Sequence, residues 1–172
     1  KLVNDGELEG NCKWVDGKFG KALHFVTGPG EPGLVRTSKD DIFAFEGRAE
    51  ITLMAWVNVD ASRPGMRAIV YNRPEADKVN YALGLKAVDL NFSYRDKENK
   101  SFHRVTGIWD ALKLDEWTHV AATNTFGDAE AMKVYLNGKN QLTNREGGVR
   151  PDNWSQGKGT KTAMPTRGPI TI

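Results

Sequence analysis

The sequence predicts an all-β protein. Helical periodicity is almost absent, β-rich runs recur roughly every ten to fifteen residues, and Gly, Pro, Asn and Asp punctuate them. Ala22–Val26, Ile51–Val59, Arg67–Asn72, Asn80–Lys86, Asp89–Arg95, Ser101–Thr106, Thr118–Thr123, Met132–Leu136 and Ile170–Ile172 are the candidate strands. They are too many for one small sheet, so a sandwich or barrel is expected. In the second run Ile51, Leu53, Ala55, Val57 and Val59 alternate with Thr52, Met54, Trp56 and Asn58, an apolar face backed by a mixed one, which places that strand between two layers. Leu90, Phe92 and Tyr94 point one way and Asn91, Ser93 and Arg95 the other, as in a strand with one face near water. Asn137-Gly138 between alternating runs specifies a tight hairpin. Gly147–Pro169 reads as a surface excursion, and one helical turn is expected within Trp109–Glu116.

At 172 residues the chain is the size of one domain, residues 1–172, and 39% hydrophobic residues with 18 glycines fit a compact globular protein. Leu53–Val57 is the longest apolar run, far short of the ~18 residues that cross a bilayer, so no membrane insertion is expected. No charged-then-apolar leader opens the chain, and any export signal is expected to have been removed. A net charge of +2 argues against a dedicated nucleic-acid binder. The basic, Gly- and Pro-rich stretch after Lys139 reads as a solvated loop. Cys12 is the single cysteine, which excludes an internal disulfide and paired-cysteine metal motifs, and it is expected to be a small buried hydrophobe.

Catalytic signatures fail on physical grounds. Gly28-Pro29-Gly30-Glu31-Pro32-Gly33 matches a dinucleotide-binding string, yet two prolines lack the N–H that such a loop offers a pyrophosphate, and strand-like Leu34-Val35 follows. Gly157-Lys158-Gly159-Thr160 resembles the end of a phosphate loop, but the upstream glycine position holds Asp152. Glu75 and Asp77 begin a glycosidase-like acidic spacing whose third position is Asn80, so the acid and nucleophile pair is incomplete. His24, His103 and His119 lie on separate runs without zinc-ligand spacing, and no serine sits in a nucleophile elbow. The chain is read as non-enzymatic.

Trp14-Val-Asp-Gly-Lys-Phe-Gly-Lys-Ala-Leu-His-Phe25, then Ile51-Thr-Leu-Met-Ala-Trp-Val57, then Leu114-Asp-Glu-Trp-Thr-His-Val-Ala-Ala-Thr123 and Val134-Tyr-Leu-Asn-Gly138 resemble, in order and spacing, the laminin-G-like jelly rolls of the concanavalin A-like superfamily. The resemblance covers most of the chain. It implies a two-sheet antiparallel jelly-roll sandwich, secreted or at the cell surface, acting as a carbohydrate-binding (lectin-like) or adhesive module, often with structural calcium (Ca2+). Relatives commonly carry Asp where this chain has Val26, which weakens the calcium expectation. They also have a strand before Asn4-Asp5-Gly6 and another after Ile170-Thr171-Ile172. The resemblance thus implies a domain truncated at both ends, either a fragment or one completed by strands from another chain.

Sugar recognition needs flat apolar rings and polar groups that grip hydroxyls. The expected ligand face comprises Asn72, Arg73, Tyr81, Asn91, Ser93, Arg95, His103 and Arg104 on neighbouring strands, with Trp109 in the loop beyond. Trp14, Trp56 and Trp117 are assigned to the core, and Trp109 and Trp154 to the surface. A non-catalytic glycan or polysaccharide binder is the leading expectation, and a protein-binding adhesion or assembly domain the alternative. A hydrolase or lyase on the same sandwich ranks third. Of the sequons at Asn91 and Asn153, the first lies mid-strand and is a poor glycosylation acceptor.

Overall fold

The computed structural model describes residues 5–26, 31–37, 50–61, 65–72, 80–95, 101–105, 112–126, 131–141 and 170–172. Its strands are β1 (Glu7–Glu9), β2 (Cys12–Asp16), β3 (Lys21–Phe25), β4 (Leu34–Arg36), β5 (Glu50–Asn58), β6 (Met66–Asn72), β7 (Tyr81–Lys86), β8 (Asp89–Arg95), β9 (Ser101–Val105), β10 (Trp117–Thr125), β11 (Lys133–Leu136), β12 (Lys139–Asn140) and β13 (Ile170–Thr171). A large sheet runs β1-β4-β13-β6-β7-β8-β9, a small sheet runs β12-β11-β10-β5, and β2 and β3 form a separate hairpin. All ladders are antiparallel, the pattern of a jelly-roll sandwich.

The core forms where the two inner faces meet. Tyr81, Leu83 and Leu85 of β7 stand opposite Tyr94, Phe92 and Leu90 of β8, and all are buried. Val120 and Ala122 of β10 with Val134 of β11 close the layer from the small sheet. Tyr94 and Phe126 meet edge to face across it, with ring centroids 5.0 Å apart. Packing of this kind excludes water from both sheets and fixes strand register, because a slip of one residue would turn Phe92 outward.

Turn chemistry shapes the ends. Asn137 and Gly138 take φ values of 48° and 77°, the mirror-image turn that matches strand twist. The same turn is tied to β10: Asn137 donates its backbone N–H to the His119 carbonyl at 2.8 Å, and its Oδ1 accepts from the His119 N–H at 3.0 Å. On the large sheet's edge, Arg36 donates Nε to Glu9 Oε1 at 3.0 Å and Nη2 to Glu9 Oε2 at 3.3 Å, a forked pair joining β4 to β1.

Several local expectations change. β1, β2, β4 and β12 are strands beyond the candidate set. Residues 112–116 form no helix; Leu114 bridges to Val59 and Asp115 takes a φ of 59°. Residues 109–111 lie outside the described set. Cys12 is only half-buried, its Sγ 3.6 Å from the Glu9 carbonyl, because β2 belongs to the peripheral hairpin rather than to either main sheet.

Candidate functional site

The expected ligand face divides by pleat parity. Asn72 is paired with Tyr81, and Tyr81 with Tyr94, so all three belong to the inward register. Asn72 and Tyr81 are fully buried, and the low-dielectric surroundings push the Tyr81 phenol well above its ordinary range. These two side chains build the core instead of meeting a ligand from solvent. Asn91 has the outward parity but is buried too, where neither a ligand nor a glycosylating enzyme reaches it from water. Ser93 and Arg95 are half-buried on the outer face of β8. Ser93 pairs with His103 of β9, and Phe92 with Arg104. Arg73, Trp109 and Trp154 lie outside the described residues. The structure therefore brings Ser93, Arg95 and the backbone of His103 together on one face and removes Asn72 and Tyr81 from it.

A different surface gathers the aromatic rings. The inward series of β5 faces the core as its alternation requires, but Thr52, Met54, Trp56 and Asn58 face outward, and among the described residues no third layer covers them. Met54 is 65% exposed and Trp56 41%. Trp56 is thus a surface residue, as is Trp14 at 62% exposure, which corrects their assignment to the core; Trp117 is half-buried. The physical reason for Trp56 is parity, since it falls on the solvent side of β5, whereas Trp14 stands on a hairpin that belongs to neither main sheet.

Registers fix how this face is laid out. Trp56 pairs with His119, and Met54 pairs with Ala121, which pairs in turn with Tyr135. Two rows result: Trp56 and His119 in one, Met54, Ala121 and Tyr135 in the next, with the small Ala121 leaving a shallow floor. The turn of the β2–β3 hairpin folds over the edge. Phe19, 72% exposed, meets Trp56 edge to face at 5.7 Å, the His119 ring lies 5.3 Å away at a 60° tilt, and Lys18 Nζ stands 5.6 Å from the indole centroid. An indole, a phenyl ring, an imidazole and an ammonium converge on one exposed spot. Such a cluster of large apolar side chains is unusual on a surface that only meets water. The sequence held one signal for it, the outward parity of Met54 and Trp56 on a strand whose other face is wholly apolar.

Beside β5 lies a groove of about 900 Å³, bounded by the hairpin, by Ala55–Asp60 and by Ile69 and Leu85 of the large sheet.

No group of three His, Cys, Asp or Glu converges among the described residues. At the position where the resemblance implies a calcium ligand stands Val26, whose side chain offers no oxygen and whose backbone N–H donates to the Asn11 carbonyl at 3.0 Å. Among the described residues no helix is long and apolar enough to cross a membrane.

No curated protein sequence matches the chain. Among solved structures, the binding domain of Paraclostridial Mosquitocidal Protein 1 superposes with a TM-score of 0.63 at 16% identity, over 96% of this chain and 39% of that one. The botulinum neurotoxin serotype C1 binding domain gives 0.61 at 16% identity over 98% of this chain and 37% of its own. The serotype G binding domain gives 0.57 at 12% identity, over 96% and 41%. The chain spans less than half the length of each, and identities this low establish shared fold. The model of the Laminin_G_3 family, within the concanavalin A-like lectin/glucanase superfamily, matches residues 33–167. With that match over most of its length and an antiparallel two-sheet sandwich to carry it, the chain belongs to this laminin-G-like family.

Proposed function

We propose that this domain is a non-catalytic binding module that works outside the cell and takes a carbohydrate ligand on the outer face of its small sheet. The observation that carries the proposal is the exposed Trp56 ring, with Phe19, His119 and Lys18 around it. Pyranose rings present flat C–H surfaces that stack on indole, while hydroxyls need nearby donors and acceptors. His119, Lys18 and the Tyr135 hydroxyl are candidates for the second role, and the shallow floor at Ala121 leaves room for a ring beside Met54. Likeness in fold to domains described as binding domains of toxins supports a binding role over a catalytic one. The failed acidic spacing at Asn80 points the same way, since that residue is buried in this fold. Calcium is given no role in this reading.

A glycan array followed by tryptophan-fluorescence titration tests the proposal. At least one neutral or acidic oligosaccharide is expected to bind, to perturb indole emission, and to lose about tenfold or more in affinity with Trp56→Ala, equivalent to about 1.4 kcal/mol. Ser93→Ala on the other sheet is expected to leave that affinity unchanged. Binding that survives Trp56→Ala and falls with Ser93→Ala or Arg95→Ala moves the site to the large sheet, and an array without any hit overturns the carbohydrate reading.

A further inference from the structure

The ring cluster on the small sheet holds a positive charge that no anion around it answers. The β2–β3 turn is closed by the Gly17 N–H donating to the Gly20 carbonyl at 2.8 Å, so Lys18 and Phe19 are presented together at its tip. Of the two lysines there, Lys21 is paired with Asp16, whereas Lys18 stands 5.6 Å from the Trp56 centroid and forms no ion pair with a carboxylate among the described residues. The sheet beneath adds no acid. The outward residues of β5 from Thr52 to Asn58, of β10 from Trp117 to Thr123 and of β11 include no carboxylate. An ammonium has three N–H donors and no lone pair. A carboxylate accepts without donating and so matches it fully, whereas a neutral hydroxyl brings a proton that still needs an acceptor.

We propose that the ligand of this face is an acidic sugar, its ring stacked on Trp56 and its carboxylate bound by Lys18. This narrows the carbohydrate reading above, on which it rests. The apolar flanks of Trp56 and Phe19 lower the local dielectric, which makes the pairing stronger than an ion pair in open water. The flexible four-carbon stem of lysine lets the ammonium turn from the indole to the carboxylate while the hairpin stays in place. Lys133, the other lysine on this face, lies four residues further along the strands, about 13 Å away, which exceeds the ~8 Å screening length at physiological salt. One uncompensated ammonium at the ring therefore matches one uronic acid rather than a run of sulfates, which needs a row of cations. A further strand paired to β5 would lie in the plane of the sheet and leave this outward face as it stands.

The test uses matched probes on a glycan array, each an oligosaccharide ending in a uronic acid beside the methyl ester of the same molecule, followed by titration against the 172-residue chain. The free acid is expected to bind about tenfold or more tighter than its ester, and salt raised from about 0.05 M to about 0.5 M to reduce that preference. Lys18→Glu is expected to abolish the preference by weakening the acid and sparing the ester, and Lys18→Arg to keep it. Lys133→Glu, with the same change in net charge, is expected to shift either ligand by less than about twofold. Equal affinity for acid and ester, with Trp56→Ala still weakening both, overturns the acidic ligand and leaves the carbohydrate reading standing. A loss of the acid with Lys133→Glu as large as with Lys18→Glu overturns it as well, since the charge then acts diffusely. So does tighter binding of polysulfated oligosaccharides than of the uronic acids. An array on which neither member of any pair binds, and no other glycan does, overturns both readings.

Discussion

Gly84 offers a test in which the structure and general propensity predict opposite signs. A glycine inside a strand ordinarily weakens it, so Gly→Ala is expected to stabilise by about 0.5–1 kcal/mol. Here the backbone of β6 comes too close. A Cβ built on Gly84 falls 2.5 Å from the Arg67 carbonyl oxygen and 3.3 Å from the Ala68 Cα. Ordinary contact begins near 3.4 Å, so the strands must part by about 0.9 Å. They are not free to do so: the β6–β7 register shifts between Ala68 and Val70, and the Arg67 guanidinium donates to the carbonyls of Ala61 and Ala87, anchoring that stretch. Overpacking against a held backbone costs about 1–3 kcal/mol. For a chain of this size that lowers Tm by about 2–12 °C. Urea denaturation of Gly84→Ala against the parent, at equal m-value, reads the difference. A neutral or stabilised variant refutes the close approach and the strand pairing that produces it.

Three further perturbations read other parts of the fold. The buried Tyr81 phenol keeps its proton more tightly folded than unfolded, so its contribution is complete below about pH 10 and drains away as pH rises beyond it. Tyr81→Phe should make stability in urea fall less steeply above that pH, by up to about 1.4 kcal/mol per pH unit, and identical slopes would contradict the burial. Gly138 holds a φ of 77°, so Gly138→Val should cost about 1–2 kcal/mol in thermal unfolding, and an unaltered Tm would deny the mirror-image turn. Phe92→Ala, in the centre of the core, should cost about 3–5 kcal/mol, while Trp14→Ala on the exposed hairpin costs less than half as much; equal losses would mean that Trp14 is covered.

The fold was legible because sheet proteins write their layers into alternation. Leu90, Phe92 and Tyr94 could share a face only in a strand, and Asn137-Gly138 could satisfy its positive φ values only in a tight hairpin. β1 left no such trace, since three residues hold too little alternation to distinguish strand from loop, while β4 showed only as strand-like Leu34-Val35 and β12 only as the second arm of the Asn137-Gly138 hairpin. The site was legible only in part. Asn72 and Tyr81 look like ligand residues by composition, and their inward position depends on the register of β6, β7 and β8, a long-range property. Trp56 errs in the opposite direction: an indole flanked by apolar residues suggests core, and exposure follows from the absence of a third layer over the small sheet among the described residues.

The amino-acid sequence by itself settled the secondary-structure class, the apolar face of β5, the hairpin at Asn137 and the family, because each rests on neighbours close along the chain or on a motif order that survives divergence. Tertiary structure alone decided that Phe19, from a hairpin turn, meets Trp56 and His119 from two separate strands, and that a groove opens between the hairpin, β5 and the large sheet. Those relations join residues up to a hundred positions apart. No local pattern encodes them, since they arise from the way sheets stack to exclude water and from which edges the remaining chain covers.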